Sequence, residues 1–277
     1  PHWSCGVSHT HTHSQLHTTH HSPVRTWACL CASKRIHTHT HTPTHTMSTT
    51  LARAGYRDDH KTAGMIHKKI VQYLKEKIGM SDEKIDEWHL TAFNSHGLSL
   101  RALLVDGFPV DVDDYLHFVH DVPLEENFGA NPALRAALHR ARVPLHIFTV
   151  SASFHAQRCL ELVGIQDCFQ GIIDIQSTNF FTKRHTEAYQ KAMEIAGVTD
   201  PSRCVLIDDS RSNIQAAKAF GFQTVYISNF PDYHEADHTL DLLEHLPLVL
   251  PDCFREEDEK GEPAGEEEAQ GGDVGPL

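Results

Sequence analysis

The sequence contains no run of about 18 consecutive apolar residues, the length that a membrane-spanning helix needs. Its N-terminus also lacks the basic and then apolar pattern of a secretory signal. We therefore expect a cytoplasmic protein that has no membrane span. The rest of the composition is typical of a globular chain with a buried core.

Positive charge is scarce, because 24 Lys and Arg face 37 Asp and Glu, which gives a formal net charge of −13. Binding to nucleic acid polymers depends on clustered Lys and Arg that release counterions from phosphates. Nucleic acid polymers are therefore not expected as partners. The seven cysteines are odd in number and scattered, which favours reduced thiols over a disulfide framework.

Residues 1–47 form a segment in which His and Thr alternate with almost no apolar periodicity. Such a segment cannot build a core, and we expect it to be disordered. Two interpretations stay open: His37, His39 and His41 hold zinc, copper or nickel, or the segment is a solvated tail or a translated simple repeat. The acidic, Gly- and Pro-rich residues 255–277 are also expected to be disordered.

Between these ends the apolar pattern first predicts helices only. Their expected ranges are 62–78, 82–94, 97–106, 111–121 and 131–142. Asp111 and Asn131 are placed as N-caps, and Pro132 occupies a first helical position.

The pattern then alternates between strands and helices. Strands are predicted at 144–150, 171–175, 204–207 and 223–227, with helices at 154–163, 186–196 and 210–220 between them. This order predicts βαβ units and a parallel sheet.

Polar residues follow the predicted strands, at the edge where a doubly wound sheet places its functional groups. They are Thr149 after the first strand, Lys183 after the second, Asp208 and Asp209 after the third, and Ser210 and Asn213 in the turn that follows. Two carboxylates suit Mg²⁺, while an ammonium and a hydroxyl suit the oxygens of a phosphate. Each residue alone has a purely structural explanation, such as N-capping for Asp-Asp-Ser. Their order after successive strands favours the functional interpretation.

Three segments resemble the second, third and fourth motifs of the haloacid dehalogenase superfamily. They read FTVSASFHAQRCLELVGI from residue 148, EAYQKAMEIAGV after Lys183, and CVLIDDSRSNIQAAKAFGFQTVYI from residue 204. Residues 96–141 resemble the helical cap of the pyrimidine 5′-nucleotidase-like group. The resemblance covers about two hundred residues, from Tyr56 to Phe254.

The resemblance implies a Rossmann-like three-layer α/β core with an inserted α-helical cap. The implied division is a cap over 57–142, a core over 143–254, and residues 48–56 as a remnant or replacement of the first core strand. It also implies hydrolysis of a small phosphomonoester with Mg²⁺, most simply a nucleoside monophosphate. Asp208 and Asp209 would hold the metal, and Thr149, Val150, Ser151 and Lys183 would surround the phosphate.

One part of the family pattern is missing. The first motif should supply a nucleophilic aspartate and a second, proton-donating aspartate at the end of the central strand. The resemblance aligns these positions with Thr50 and Ala52, where neither carboxylate occurs. Val150 also replaces the usual Asn, and Arg184 replaces the usual Pro.

A nearby pattern, Asp58-x-His60-x-Thr62 with Asp59, echoes the missing motif but has no strand before it, so we do not expect it to substitute. Three hypotheses follow. The native product is an active phosphatase whose N-terminus is misassigned here; or the chain binds phosphate or nucleotide without turnover; or it acts as a metal-binding or interaction protein through the His-rich segment.

Overall fold

A computed structural model describes residues 59–228 and 234–256 of the chain. The predictions for 1–47 and 48–56, and nearly all of that for 255–277, lie outside this part. Of residues 59–61, 89, 90 and 93 only the backbone is described. None of the helices in the described part is both long and apolar enough to cross a bilayer.

Helices and strands follow one another in the predicted order. The first five helices are α1 (Asp59–Glu76), α2 (Asp82–His96), α3 (Ser99–Val105), α4 (Val112–His120) and α5 (Pro132–His139). Then come β1 (His146–Phe148), α6 (Ser153–Val163), β2 (Gly171–Ile173), α7 (Thr186–Ile195), β3 (Val205–Asp208), α8 (Arg211–Phe220), β4 (Gln223–Ile227), β5 (His238–Leu240) and α9 (Leu246–Val249).

Capping residues fix several of these boundaries. The Asp111 side chain accepts a hydrogen bond from the Asp114 N–H, and Asn131 accepts one from the Leu134 N–H, as the N-cap predictions require. Gly164 ends α6 in a left-handed conformation with φ of 77°. Glycine adopts that conformation without the steric cost that a Cβ would add.

The strands form two parallel sheets within the described residues. β1 pairs with β2, with Ile147 opposite Ile172, while β4 lies between β3 and β5. The two sheets belong to one layer, because their side chains enter the same two hydrophobic clusters. Ile147 and Ile207 contribute to one cluster, and Phe148 and Leu206 to the other.

Helices cover both faces of this layer. The first cluster contains Leu138 of α5 and Leu160 of α6, and the second contains Tyr189 of α7 and Ile214 of α8. This arrangement confirms the prediction of a Rossmann-like α/β core with three layers. A third cluster draws on α1, α2, α3 and α4, with Tyr73 as one of its buried members. These four helices form the helical unit, which packs against Ala152 and Ile175 of the core.

The structure differs from the predicted elements in three places, one of which is α9, a short helix that was not predicted. β5 was not predicted, because three residues with one apolar side chain show no strand pattern. α5 was grouped with the cap, yet its buried Leu134 and Leu138 pack in the same cluster as β1 and β3. By packing, the helical unit therefore ends near α4, before the predicted boundary at 142.

Candidate functional site

The predicted site residues lie at the carboxyl ends of the strands. Thr149 directly follows β1, Asp208 is the last residue of β3, and Lys183 lies in the segment between β2 and α7. Because parallel strands end at the same edge of a sheet, these residues converge there.

Lys183 links the ends of the two sheets. Its ammonium donates to the Phe148 carbonyl oxygen over 3.0 Å and to Asp208 Oδ2 over 2.9 Å. The side chains of Lys183 and Asp208 are 1% and 0% exposed. A buried cation and anion of this kind each need the other, because either charge alone would be costly in the interior.

The second oxygen of Asp208 is also engaged. Asp208 Oδ1 accepts from the Ser210 backbone N–H over 2.8 Å and from the Asn213 side-chain amide over 3.0 Å. The two supporting residues that the sequence suggested thus contact the predicted carboxylate directly. Asp209 is half-buried beside it.

Tyr189 is a site residue that the sequence reasoning missed. Its hydroxyl lies 2.7 Å from the Lys183 carbonyl oxygen and 3.1 Å from that of Asn213, so it connects the Lys183 loop to the start of α8. The tyrosine lies within the EAYQKAMEIAGV segment, but nothing in the pattern distinguishes it from an ordinary core aromatic.

Asp174, just after β2, was also missed. It is buried, and its two oxygens accept from the backbone N–H groups of Ser153 and Ser177. Asp174 therefore fixes the start of α6 and the beginning of the loop that carries Lys183.

Thr149 and Ser151 form a tight turn after β1. The Thr149 N–H donates to the Ile173 carbonyl over 2.9 Å, and its hydroxyl oxygen accepts from the Ser151 N–H over 3.0 Å. Val150, between them, is partly buried against the helical unit. Thr149 directly follows Phe148, whose carbonyl holds Lys183, so the turn adjoins the ammonium.

Residues of the helical unit contact the loop that carries Lys183. Asn179 and Phe180 both have positive φ, at 53° and 62°, which costs about 1–3 kcal/mol for each residue that is not glycine. Arg101 of α3 donates to the Phe180 carbonyl over 3.2 Å, and its guanidinium lies 4.3 Å from the Phe181 ring centroid. Arg184 donates to the Asn94 carbonyl of α2 over 3.3 Å.

His185, at the end of this loop, is the site's clearest electrostatic perturbation. Burial lowers the pKa of its imidazole, and the nearby Arg101 lowers it further. The ring therefore favours the neutral form.

The site offers oxygen donors to a metal. Asp208 and Asp209 are carboxylates, which hard cations such as Mg²⁺ prefer. Asp208 is already paired with Lys183, whereas Asp209 lies half-buried beside it.

The expected nucleophile positions, Thr50 and Ala52, lie outside the described residues, as does Asp58. Asp59 and His60 begin α1, where only the backbone is described, and Thr62 is buried.

Comparison with known proteins adds to this geometry. Residues 39–221 match the family model of the haloacid dehalogenase-like hydrolases. The phosphate metabolism protein 8 of Saccharomyces cerevisiae is 25% identical over 203 residues, which cover 69% of this chain and 63% of that protein. An enolase-phosphatase E1 of Xylella fastidiosa is 32% identical over 119 residues, 40% of this chain and 48% of the relative.

This chain thus spans less than two thirds of the length of either relative. A phosphatase of the haloacid dehalogenase type from Thermococcus onnurineus is similar in structure. It has a TM-score of 0.46 and 20% identity, over 67% of this chain and 91% of that chain.

Proposed function

The chain belongs to the haloacid dehalogenase-like hydrolases, and from this premise we propose that it binds a small phosphomonoester and Mg²⁺ at the carboxyl ends of β1 and β3. The observation that carries the proposal is the buried pair of Lys183 and Asp208. A domain gains little stability from burying such a pair, which argues for a role in binding.

The site residues have different proposed roles. Lys183 provides positive charge to the phosphate oxygens, and the Thr149 hydroxyl and the turn through Val150 and Ser151 orient them. Asp208 holds the Lys183 ammonium in position.

Asp209, together with Asp208, would hold Mg²⁺, which supplies Lewis-acid stabilisation of the phosphoryl oxygens when bound. The donor set fits, since all its atoms are oxygens. Asp208 already accepts three hydrogen bonds, so we assign the larger share of the metal affinity to Asp209.

The proposed substrate class is a nucleoside monophosphate. The similarity of residues 96–141 to the cap of the pyrimidine 5′-nucleotidase-like group supports it, and Arg101 and Asn94 of the helical unit contact the loop that carries Lys183. A cytoplasmic location, where such metabolites occur, also stays a prediction.

Turnover is a separate question from binding. The family route needs a carboxylate that attacks phosphorus, and Thr50 and Ala52 occupy the expected positions. We therefore propose that the chain as written binds without appreciable hydrolysis.

The experiment compares phosphate release from UMP and p-nitrophenyl phosphate by the chain as written and by the Thr50→Asp/Ala52→Asp variant. We expect background rates from the first and turnover from the second. In the variant background, Lys183→Met should abolish turnover, whereas Lys191→Met, which removes an exposed lysine of α7, should not.

Two outcomes would contradict the proposal. A rate of about 1 s⁻¹ from the unaltered chain would mean that another group acts as the nucleophile, and Asp58 and Asp59 would be the first candidates. Equal phosphate affinity before and after Lys183→Met, measured by calorimetry with inorganic phosphate, would remove the binding site itself.

A further inference from the structure

A second cluster of metal-ligand side chains lies at the opposite edge of the sheet, where the strands begin. It consists of His139, in the last turn of α5, and Asp167 and Cys168, which form part of a 3-10 turn before β2. One ligand atom from each residue lies within 4.8 Å of the other two. Because α5 precedes β1 and the turn precedes β2, the cluster is separate from the Lys183 site.

We propose that His139, Asp167 and Cys168 form a zinc-binding site. Imidazole, carboxylate and thiolate are the three ligand types that zinc accepts in proteins. In a tetrahedral site with bonds of about 2.0–2.3 Å, neighbouring ligand atoms are roughly 3.3–3.8 Å apart. The observed spacing of up to 4.8 Å exceeds these separations by about 1 Å, so the three side chains must move closer together to bind an ion.

Three protein ligands leave a fourth position open to water. His139 and Asp167 are about half-exposed, at 50% and 49%, so an ion reaches the site without any opening of the fold. Cys168 is partly buried.

Charges of both signs surround the cluster. Two helices, α5 and α6, end beside the cluster, and the C-terminal end of a helix carries partial negative charge. Arg135 neutralises part of this negative charge. It donates to the Gly164 carbonyl at the end of α6 over 2.7 Å and binds both oxygens of Asp167.

Arg135 is compatible with a metal at Asp167. An ionised carboxylate offers about four lone-pair sites, and an arginine that binds both oxygens uses two of them. Arg135 would then orient Asp167, as outer partners orient the ligands of other metal sites. His139 Nε2 lies 3.8 Å from Oδ2 of Asp167, the same carboxylate that Arg135 binds.

Binding must release the thiol proton of Cys168. Zinc binds thiolate and so displaces the proton, which makes the apparent zinc affinity rise with pH.

The test is a titration of the full-length chain with Co²⁺, a spectroscopic substitute for zinc. Thiolate-bound cobalt gives a charge-transfer absorption that cobalt bound only to imidazole lacks. Because Cys5, Cys29 and Cys31 lie in the His-rich residues 1–47, every sample, the reference chain included, carries Ser at these three positions, so this segment does not obscure the signal. We expect one equivalent of this absorption for each chain, lost on addition of zinc and lost in Cys168→Ser.

Two histidine variants complete the design. His139→Gln should weaken the binding that gives this absorption by about tenfold or more. His245→Gln is the matched control, because His245 also lies beside a carboxylate, Asp241, at 3.2 Å. It should leave the titration unchanged.

Three results would overturn the site: no thiolate absorption in the reference chain, absorption that survives Cys168→Ser, or equal effects of His139→Gln and His245→Gln. Circular dichroism of each variant verifies the fold. As a second readout, zinc should raise the midpoint of thermal unfolding of the reference chain more than that of Cys168→Ser.

Discussion

Lys183 is almost completely buried, and its charge is balanced by Asp208. We expect Lys183→Met to lower the free energy of unfolding by about 3–5 kcal/mol, because it leaves a buried carboxylate without its cation. Urea unfolding measures the change, with Lys191→Met as the exposed control. Adding Asp208→Asn to Lys183→Met should restore part of the loss, and a double variant that is less stable than the single one would contradict this account.

Asp209 and Asp208 differ in how the protein already uses them. We expect Asp209→Asn to weaken Mg²⁺ binding about tenfold, because it removes the negative charge that the metal needs. Calorimetry of the full-length chain measures this against Asp86→Asn, which alters an exposed carboxylate of α2. Unchanged Mg²⁺ affinity after substitution of both Asp208 and Asp209 would eliminate the metal site.

At the scale of elements, α4 and α6 meet through two buried histidines. The ring centroids of His120 and His155 are 4.4 Å apart. Burial lowers the pKa of His120 to about 4, and burial together with the neighbouring His120 and Arg158 holds the pKa of His155 well below its usual range. Both rings are therefore neutral at pH 7.

This contact makes stability depend on pH. Since the pKa of each ring is lower in the folded chain, the contribution is complete above about pH 6.5 and is lost as the pH falls toward 4. For His120 alone the loss at pH 5 is about 2 kcal/mol. In urea unfolding at pH 7 and pH 5, His120→Phe should reduce the difference by that amount, whereas His245→Gln should not.

The stability of the whole molecule depends on how the edges of the two sheets are paired. Within the described residues, β3 pairs with β4 alone. The Cys204 carbonyl accepts from Gln223, so residues 204, 206 and 208 direct their backbone groups toward β4, and Val205 and Ile207 direct theirs toward β1.

The backbone groups of Val205 and Ile207 face the position where the family has its central strand. We expect their amides to exchange with solvent faster than the Leu206 amide, which pairs with β4. An unmade buried hydrogen bond costs about 1–3 kcal/mol, which is large against a total stability of about 5–15 kcal/mol. Hydrogen exchange followed by NMR measures each amide. Equally slow exchange at all three, and at residues 145–148, would show that a strand from the N-terminal segment completes the sheet.

Much of this architecture could be predicted from the sequence, for local reasons. The apolar spacing in α1 and α6 and the caps at Asp111 and Asn131 act within a few residues, so the sequence displays them directly. The strand ends were also predictable, because Asp208 follows a short apolar run.

Features that depend on distant partners were not predictable. Nothing in the sequence indicates that the Tyr189 hydroxyl binds the Lys183 and Asn213 carbonyls, or that Asp174 caps α6 from another element. The strand β5 forms because β4 offers it an edge, and its own three residues have little strand character.

Two neighbouring aromatic residues in the Lys183 loop point into different parts of the molecule. Phe180 packs with the helical unit and Phe181 with the cluster under α7 and α8, while Arg101 contacts both. The backbone between them therefore connects the helical unit to the segment that carries Lys183. We expect a single inserted or deleted residue here to disturb the contacts of both rings, so the fold depends on the length of this loop as well as on its chemistry.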